Sequence, residues 1–246
     1  MLRAVIFDMG ETLLRFVRPG NTWREFEAPG IREIYQYLIE QGHPIASREE
    51  EFVEVMFQRL AEGWQQSTGG HINLRAVDWI ATSAADHALT LDEAALLEAA
   101  RHYARSLRIG LSATPGATDV LAALRERDYR MGLISNTIWP AELHLEDLAE
   151  FGILPYLDHT IFSGDFGMWK PSPQVFQHMM EILDVRPEET VFVGDNPRED
   201  ILGAQGVGIR AVWLRNHEFP LGDVHPDAII ETLPDLLTVL EQWHTQ

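Results

Sequence analysis

The sequence predicts an α/β fold: a doubly wound parallel sheet that carries an inserted all-α domain. Three short apolar runs, Ala4–Phe7, Arg130–Ser135 and Thr190–Gly194, lead into polar residues, which is typical of strands buried on both faces of a parallel sheet. Helical patterns separate the later runs, as in Rossmann-like βαβ units. The long segment between the first two runs contains no strand pattern. We therefore predict a core of residues 1–15 and 110–246 with a helical insert at 16–109.

The first strand delivers a carboxylate to the edge of this sheet. The apolar residues Ala4–Phe7 run directly into Asp8, and Gly10 then breaks the chain. Ligands of open α/β sheets bind outside the carboxyl ends of the strands. We therefore expect Asp8 to face a ligand, although an aspartate in this place can also cap a following helix.

The insert shows four amphipathic helical patterns after a polar stretch at 18–21. The expected helix starts are, in chain order, Pro29 with Gly30, the capping box of Ser47 and Glu50, Leu74 after a break at Gly69 and Gly70, and the pair of Thr90 and Glu93. A segment with this pattern folds as a small all-α domain.

From residue 114 onward, helical and strand patterns alternate. The expected elements are, in chain order, a helix capped by Thr114 with Pro115 at its first position, the strand Arg130–Ser135, a helix at 143–148, the strand His159–Phe162, a helix opened by Ser172 and Pro173, the strand Thr190–Gly194, a helix that begins at Asn196 and Pro197, a strand at 209–214 and a closing helix around 236–240.

Composition excludes several classes of protein. The 246 residues include 38 acidic and 19 basic residues, for a formal net charge of −19, which argues against nucleic-acid and anionic-membrane partners. The absence of cysteine excludes disulfides and thiolate chemistry. No apolar run approaches the ~20 residues of a membrane span, and the first strand leaves no room for a signal peptide. We therefore expect a soluble, cytoplasmic protein, of an oligomeric state that the sequence does not indicate.

Three carboxylates are predicted to meet at one edge of the sheet. Asp8 follows the first strand, Asp195 follows the strand Thr190–Gly194, and Asp200 lies on the first turn of the next helix. Three converging carboxylates repel one another unless a cation lies between them. Hard oxygen ligands with room for water and phosphate suit Mg²⁺ best. The sequence therefore predicts a magnesium site.

Lys170 is the only lysine of the chain, since the other 18 basic residues are arginine. It lies in the loop before the helix that precedes Asp195, near the polar pair Ser135 and Asn136 that ends the second strand. A compact ammonium group on a flexible stem can do what a planar guanidinium cannot. We therefore add Lys170, Ser135 and Asn136 to the candidate site.

The motifs DMGETL, LISN, WKPSP and GDNPRED occur in this order, each at the end of its predicted strand or at the start of a helix. Together they resemble the haloacid dehalogenase-like (HAD) hydrolase superfamily, of the phosphatase type with a helical cap between the first and second motifs. The resemblance spans the core from Asp8 to Asp200. It implies a Mg²⁺-dependent hydrolase that acts on a small phosphorylated substrate.

The resemblance implies a role for each residue that handles the phosphoryl group. Asp8 would be the nucleophile that accepts it as an aspartyl phosphate, which divides a difficult hydrolysis into two steps. The Ser135 hydroxyl and the Asn136 backbone amide would donate hydrogen bonds to phosphate oxygens. Lys170 would neutralise charge between Asp8 and the phosphate.

The resemblance also implies a set of metal ligands. Mg²⁺ would be held by Asp8, by the backbone carbonyl of residue 10 and by Asp195, while Asp200 would orient a metal-bound water or Lys170. An alternative for Asp200 is a simple interaction with the dipole of its helix.

The sequence departs from the family pattern at Gly10. Phosphatases of the family carry a second aspartate there, whose carboxylate moves a proton to or from the reacting oxygen. Glycine keeps the backbone carbonyl and loses that carboxylate, so we expect an intact Mg²⁺ site without its general acid and base. Such an enzyme would prefer acyl, aryl or anomeric phosphates, whose leaving groups need little protonation.

Other acidic or imidazole groups are weaker candidates for the missing proton carrier. Glu11 is adjacent, but alternation along an extended chain points it away from Asp8. Glu25, Glu27, His43 and His71 of the insert could reach the site, and nothing in the sequence selects one of them.

Of three alternative functions, the sequence excludes one and leaves two open. Haloacid dehalogenases also lack the second aspartate, but they do not present the carboxylate pair of Asp195 and Asp200. Phosphonoacetaldehyde hydrolases have a small residue at this position but need a cap lysine, which this insert does not contain. A catalytically weak binding or regulatory protein on a phosphatase scaffold is the other alternative.

Overall fold

The computed structural model describes residues 1–16, 22–70 and 74–244, so the predicted polar stretch at 18–21 and His71 lie outside the described residues. The chain divides into two compact units. The α/β unit comprises Met1–Phe16, Ser112–Asn136 and Leu145–Gln246. The helical unit comprises Val17–Leu111 and Thr137–His144.

Eight strands are formed by the described residues of the α/β unit. They are Ala4–Phe7 (β1), Leu14–Arg15 (β2), Ser112–Ala113 (β3), Arg130–Ser135 (β4), His159–Phe162 (β5), Thr190–Gly194 (β6), Arg210–Leu214 (β7) and Ala228–Ile230 (β8). Six of them form one parallel sheet in the order β5-β4-β1-β6-β7-β8, while β2 and β3 pair antiparallel. The predicted α/β class with a parallel sheet is confirmed. Strands β2, β3 and β8 were not predicted, because runs of two or three residues are too short to show a strand pattern.

Ten helices are described. They are Trp23–Glu40 (α1), Glu49–Gly70 (α2), Ala76–Asp86 (α3), Glu93–Leu107 (α4), Ala117–Glu126 (α5), Ala141–Glu150 (α6), Ser163–Phe166 (α7), Pro173–Ile182 (α8), Gly203–Gln205 (α9) and Asp235–His244 (α10). Short helical turns at Leu154–Tyr156, Pro187–Glu189 and Pro197–Leu202 complete the secondary structure of the described residues.

The central strand is β1, which lies between β4 and β6. All four of its residues are fully buried, as expected for a strand covered on both faces. Ile6 belongs to a core cluster with Phe192 of β6 and with Phe176 and Met179 of α8. The unbroken apolar run at the start of the chain therefore follows from a central position in the sheet.

The first helix begins earlier than predicted. Thr22 caps α1 through a capping box with Glu25, and Pro29 lies inside the helix rather than at its start. The prediction from Pro29 was wrong because the helix already begins six residues earlier, at Trp23. The reciprocal Thr22 and Glu25 hydrogen bonds, which satisfy two free backbone N–H groups, specify that start.

Three further predicted caps differ from the structure. Ser47 lies two residues before α2, and Asp92 rather than Thr90 caps α4 by accepting a hydrogen bond from a backbone N–H. Helix α5 begins after Gly116, whose φ of 80° suits glycine, whereas Thr114 lies further upstream. Aspartate, serine and threonine are all common helix caps, so the sequence alone does not choose between neighbouring candidates.

The segment Thr137–His144 belongs to the helical unit, whereas the sequence places it in the core. The Ile138 carbonyl accepts a hydrogen bond from the Ala76 N–H at 2.8 Å, and the Trp139 ring contacts the Tyr103 ring edge-on. These contacts between segments distant in sequence explain the difference. Among the described residues, no helix has both the length and the apolar character that crossing a bilayer requires.

Candidate active site

Neighbouring strands bring the predicted site residues to one edge of the sheet. Phe7 of β1 pairs with Leu133 of β4 and with Val193 of β6. Asp8, Ser135 and Asp195 follow these positions by one or two residues, so the carboxyl ends of three parallel strands deliver them to the same level. Ser135 is buried at the end of β4. The register of the sheet thus assembles a polar cluster from segments up to 187 residues apart (8 and 195).

Lys170 lies at the centre of this cluster. Its Nζ donates to Asp8 Oδ1 at 2.5 Å and to Asp200 Oδ1 at 2.7 Å, and only 3% of the residue is exposed. Burial disfavours the ammonium charge, but the attraction of Asp200 and Asp8 outweighs burial and raises the pKa of Lys170 above its ordinary value. Lys170 is therefore a permanent positive charge between two carboxylates.

The Asp200 carboxylate accepts hydrogen bonds from Lys170 and from the residue that caps its own helix. Its Oδ1 accepts from Lys170, and its Oδ2 accepts from the Asn196 N–H at 2.9 Å. A Cβ atom on Gly194 would collide with the Asp200 carboxylate, so glycine at the end of β6 permits this close approach. The structure therefore shows both Asp200 oxygens as hydrogen-bond acceptors, one from Lys170 and one from Asn196.

Asp195 is held by the neighbouring strand. Its Oδ2 accepts from Asn216 Nδ2 at 2.6 Å, and its backbone carbonyl accepts from Trp213 Nε1 at 2.7 Å. Burial, together with repulsion from Asp8 and Asp200, raises the pKa of Asp195 to about 8. A carboxyl group in this environment ionises at neutral pH only when additional positive charge is nearby.

The three carboxylates form a site that suits a divalent cation. One potential ligand oxygen each from Asp8, Asp195 and Asp200 lies within 4.8 Å of the others. Burial raises the pKa of Asp8 to about 6, although Lys170 opposes this rise. With all three carboxylates ionised, one lysine would leave two negative charges in excess, so a bound cation favours the ionised forms of Asp8 and Asp195. Clustered carboxylate oxygens with this charge balance fit Mg²⁺.

The Asn136 side chain of the LISN motif forms hydrogen bonds to the WKPSP and GDNPRED motifs. Its Oδ1 accepts from the Lys170 N–H at 2.7 Å, and its Nδ2 donates to the Lys170 carbonyl at 2.9 Å. The same Nδ2 donates to Glu199 Oε2 at 2.8 Å. Through these bonds the Asn136 side chain fixes the backbone of the loop that carries the catalytic lysine candidate.

Two residues at the site were not predicted from the sequence, Glu199 and Asn216. Burial is the main cause that raises the pKa of Glu199 to about 7, while Lys170 opposes the rise. Glu199 lies in the GDNPRED motif between Asp195 and Asp200, and its place in this motif could have identified it. Asn216 follows β7, so the rule that strand ends carry site residues could have identified Asn216 too.

The position of the missing aspartate is open. A Cβ atom on Gly10 would meet only Phe16 Cε2 among the described residues, at 3.8 Å. Glu11, the adjacent candidate, has a φ of 55° and accepts a hydrogen bond from the Phe16 N–H at 3.0 Å through Oε1. That hydrogen bond closes the loop between β1 and β2.

The candidates of the helical unit make contacts within that unit. Glu27 is buried and accepts from the Tyr103 hydroxyl at 2.5 Å and from Trp23 Nε1 at 2.7 Å. Glu25 takes part in the capping box of α1. These hydrogen bonds give Glu25 and Glu27 structural roles in their own unit.

Residues 2–208 match the family model of haloacid dehalogenase-like hydrolases. Glyceraldehyde 3-phosphate phosphatase of Pyrococcus furiosus is 34% identical over 140 residues, which are 54% of this chain and 56% of that protein. The chain thus spans about half the length of this first curated relative. A glyceraldehyde 3-phosphate phosphatase of Methanopyrus kandleri is 28% identical over 98% of both chains.

Solved structures with this fold include a phosphatase and a dehalogenase. A HAD phosphatase from Thermococcus onnurineus matches with a TM-score of 0.64 and 27% identity, over 97% of this chain and 98% of that chain. A 2-haloacid dehalogenase from Pseudomonas syringae pv. tomato DC3000 matches with a TM-score of 0.71 and 24% identity, over 99% of this chain and the whole of that chain. The second likeness concerns the fold alone.

Proposed function

Because the chain belongs to the haloacid dehalogenase-like hydrolase family, we propose that it is a Mg²⁺-dependent phosphatase of a small phosphorylated metabolite. The relatives named as phosphatases of glyceraldehyde 3-phosphate and of phosphoglycolate support this substrate class. The proposal includes a covalent aspartyl phosphate on Asp8 and a helical unit that serves as the cap.

The observation that carries the proposal is the charge balance around Asp8. Three carboxylate oxygens lie within 4.8 Å of one another, and Lys170 supplies a single positive charge to two of them. A haloacid dehalogenase, which needs no metal, has no use for the third carboxylate, Asp195. A metal-dependent phosphatase needs that carboxylate as a ligand.

Asp8, Asp195 and the backbone carbonyl of Gly10 would hold the cation. When bound, Mg²⁺ supplies positive charge that offsets the charge of the phosphate group. The Asp200 carboxylate is not required as a ligand, because both of its oxygens already accept hydrogen bonds from Lys170 and Asn196.

In the proposed reaction the free Asp8 oxygen attacks phosphorus while the bond from phosphorus to the leaving-group oxygen breaks. Lys170 neutralises charge on Asp8 and on the incoming phosphate, and Ser135 and the Asn136 backbone amide orient the phosphate oxygens. A water molecule then attacks the phosphorus of the aspartyl phosphate, which releases inorganic phosphate and restores the Asp8 carboxylate.

Gly10 limits which leaving groups this site can expel. The departing oxygen of an alkyl ester needs a proton, and residue 10 has no carboxyl group to provide one. Acyl, aryl and anomeric phosphates leave as more stable anions and need less help. We therefore propose that such phosphates are hydrolysed faster than ordinary alkyl esters, and that hydrolysis of the aspartyl phosphate is slow.

Turnover with defined substrates tests this function. Purified protein is assayed with p-nitrophenyl phosphate and acetyl phosphate, in Mg²⁺ and in EDTA, and in parallel with 2-chloropropionate. We expect Mg²⁺-dependent phosphate release that Asp8→Asn abolishes and that the control substitution of the exposed Asp223, Asp223→Asn, leaves unchanged.

The same assays separate the two alternatives. Chloride release from 2-chloropropionate in EDTA would indicate that the protein is a dehalogenase and not a phosphatase. The glycine at position 10 would then be expected, because haloacid dehalogenases also lack the second aspartate. Mg²⁺ binding without turnover of any substrate would indicate a binding or regulatory protein.

A further inference from the structure

Asn216 has a fixed orientation beside Asp195. Its Oδ1 accepts a hydrogen bond from the Glu218 N–H at 2.9 Å, and its Nδ2 donates to Asp195 Oδ2 at 2.6 Å. Because the backbone N–H can only donate, the amide oxygen must face Glu218 and the amide nitrogen must face the carboxylate. The loop after β7 therefore presents a hydrogen-bond donor to Asp195.

Asp195 is anchored to this region at two points. Besides the Asn216 bond to its side chain, its backbone carbonyl accepts from Trp213 Nε1 at 2.7 Å. With backbone and side chain both held, the carboxylate has one oxygen engaged and one oxygen left for another ligand. Within the described part of the chain, no donor contacts Oδ1 of Asp195.

Asn216 carries no charge, so its hydrogen bond to Asp195 does not neutralise that carboxylate. This chain has 18 arginines, and Arg215 directly precedes Asn216, but the Arg215 guanidinium pairs with Glu231 at 2.7 Å. An arginine on Asp195 would neutralise this carboxylate and weaken its attraction for a cation. An amide donor orients the carboxylate and leaves its negative charge intact.

We propose that Asn216 is a positioning residue for the divalent cation, which holds one Asp195 oxygen so that the other is presented as a ligand. Partners of metal-binding carboxylates and imidazoles commonly act in this way, and their loss typically costs 10- to 100-fold in metal affinity. The inference rests on the proposed function, because it requires that Asp195 bind the metal.

The test is the dissociation constant of Mg²⁺, measured by isothermal titration calorimetry at neutral pH without substrate. We expect Asn216→Ala to weaken Mg²⁺ binding by about 10- to 100-fold. The adjacent exposed residue provides the matched control, and His217→Ala should bind Mg²⁺ as the wild type does. Asn216→Leu has nearly the same size and no charge but cannot donate a hydrogen bond to Asp195, so it should also bind Mg²⁺ weakly.

Two further readouts distinguish positioning from a general structural role. The melting temperature without metal should stay close to that of the wild type in Asn216→Ala, whereas the increase produced by a fixed Mg²⁺ concentration should become smaller. At saturating Mg²⁺, kcat should return towards the wild-type value while KM for the phosphate substrate is unchanged.

The outcomes separate this inference from the proposed function. If the wild type binds Mg²⁺ and Asn216→Ala and Asn216→Leu bind it equally well, the positioning role is refuted and the phosphatase proposal stands. If the wild type binds no Mg²⁺, both fail. If Asn216→Ala is unfolded, Asn216→Leu decides, and wild-type affinity in that variant overturns the inference.

Discussion

Restoring a carboxyl group at residue 10 tests the idea that this enzyme lacks its proton carrier. The substitution is Gly10→Asp. A Cβ atom at this position meets only the Phe16 ring among the described residues, in ordinary van der Waals contact at 3.8 Å. Gly10 is also absent from the glycines with positive φ, so an L side chain adopts its conformation without strain. We therefore expect the fold to accept the aspartate.

The size of the expected gain follows from the environment of the new group. Burial and neighbouring carboxylates raise the pKa of Asp195 to about 8, and burial raises that of Asp8 to about 6. The negative charges of Asp8 and Asp195 would also favour the protonated form of a carboxyl group at residue 10, as a general acid requires. General acid catalysis contributes ~10²- to 10⁴-fold, which corresponds to about 3–5.5 kcal/mol of activation free energy.

The assay compares kcat/KM for an alkyl phosphate and for acetyl phosphate in the presence of Mg²⁺. We expect Gly10→Asp to raise the alkyl value by at least ~10²-fold and to change the acetyl value far less, because acetate needs little protonation on leaving. Gly10→Asn has the same shape without the acid and serves as the control. An equal gain in Gly10→Asn, or an unchanged ratio between the two substrates in Gly10→Asp, would refute the reasoning.

Three further predictions concern buried groups. Lys170→Met should abolish turnover and lower the free energy of unfolding in urea by about 3–5 kcal/mol, because it leaves buried carboxylates without their cation. Burial raises the pKa of Glu199 to about 7, so Glu199 gains negative charge beside Lys170 as the pH rises through 7. KM for a phosphate substrate should therefore increase over that interval in initial-rate assays. Glu199→Gln should remove the increase. Burial lowers the pKa of His144 from 6.5 to about 3, so the unfolded chain binds a proton that the folded chain does not. The free energy of unfolding should therefore fall by up to about 1.4 kcal/mol per pH unit between about pH 6.5 and pH 3, and His144→Phe should flatten this slope in urea titrations.

Each of these predictions has an outcome that contradicts it. Substantial turnover in Lys170→Met would remove the lysine from the reaction. A KM that increases with pH equally in Glu199→Gln and in the wild type would assign the titration to another group. His144→Phe keeps an aromatic ring for the stacking with Trp139, so an unchanged acid slope in that variant would place the proton uptake elsewhere.

The sequence predicted the strand ends well because their signal is local. Unbroken apolar runs gave β4, β5 and β6 to the residue, and the polar residues after them followed from the geometry of a parallel sheet. Helix starts were predicted less well. Thr90 and Asp92 are both good caps, and only the folded chain shows that Asp92 accepts the hydrogen bond from the Ala95 N–H.

Contacts between distant segments could not be predicted from one sequence. The Asn216 bond to Asp195 joins residues 21 positions apart, and the Asn136 bond to Glu199 joins residues 63 positions apart. Each side chain is polar and follows a strand or begins a helix, where a cap or a turn is the ordinary interpretation. Their partners depend on which strands are neighbours, and that order is a property of the whole sheet.

The geometry of the site explains why the single lysine of the chain occurs at position 170. One Nζ atom donates to Asp8 at 2.5 Å and to Asp200 at 2.7 Å within a fully buried environment. A guanidinium is larger and planar, and its donors form a rigid fork that favours two oxygens of one carboxylate. An ammonium group can instead place its donors on two separate carboxylates from a single point. A chain that uses arginine at 18 other positions therefore still requires lysine at this one.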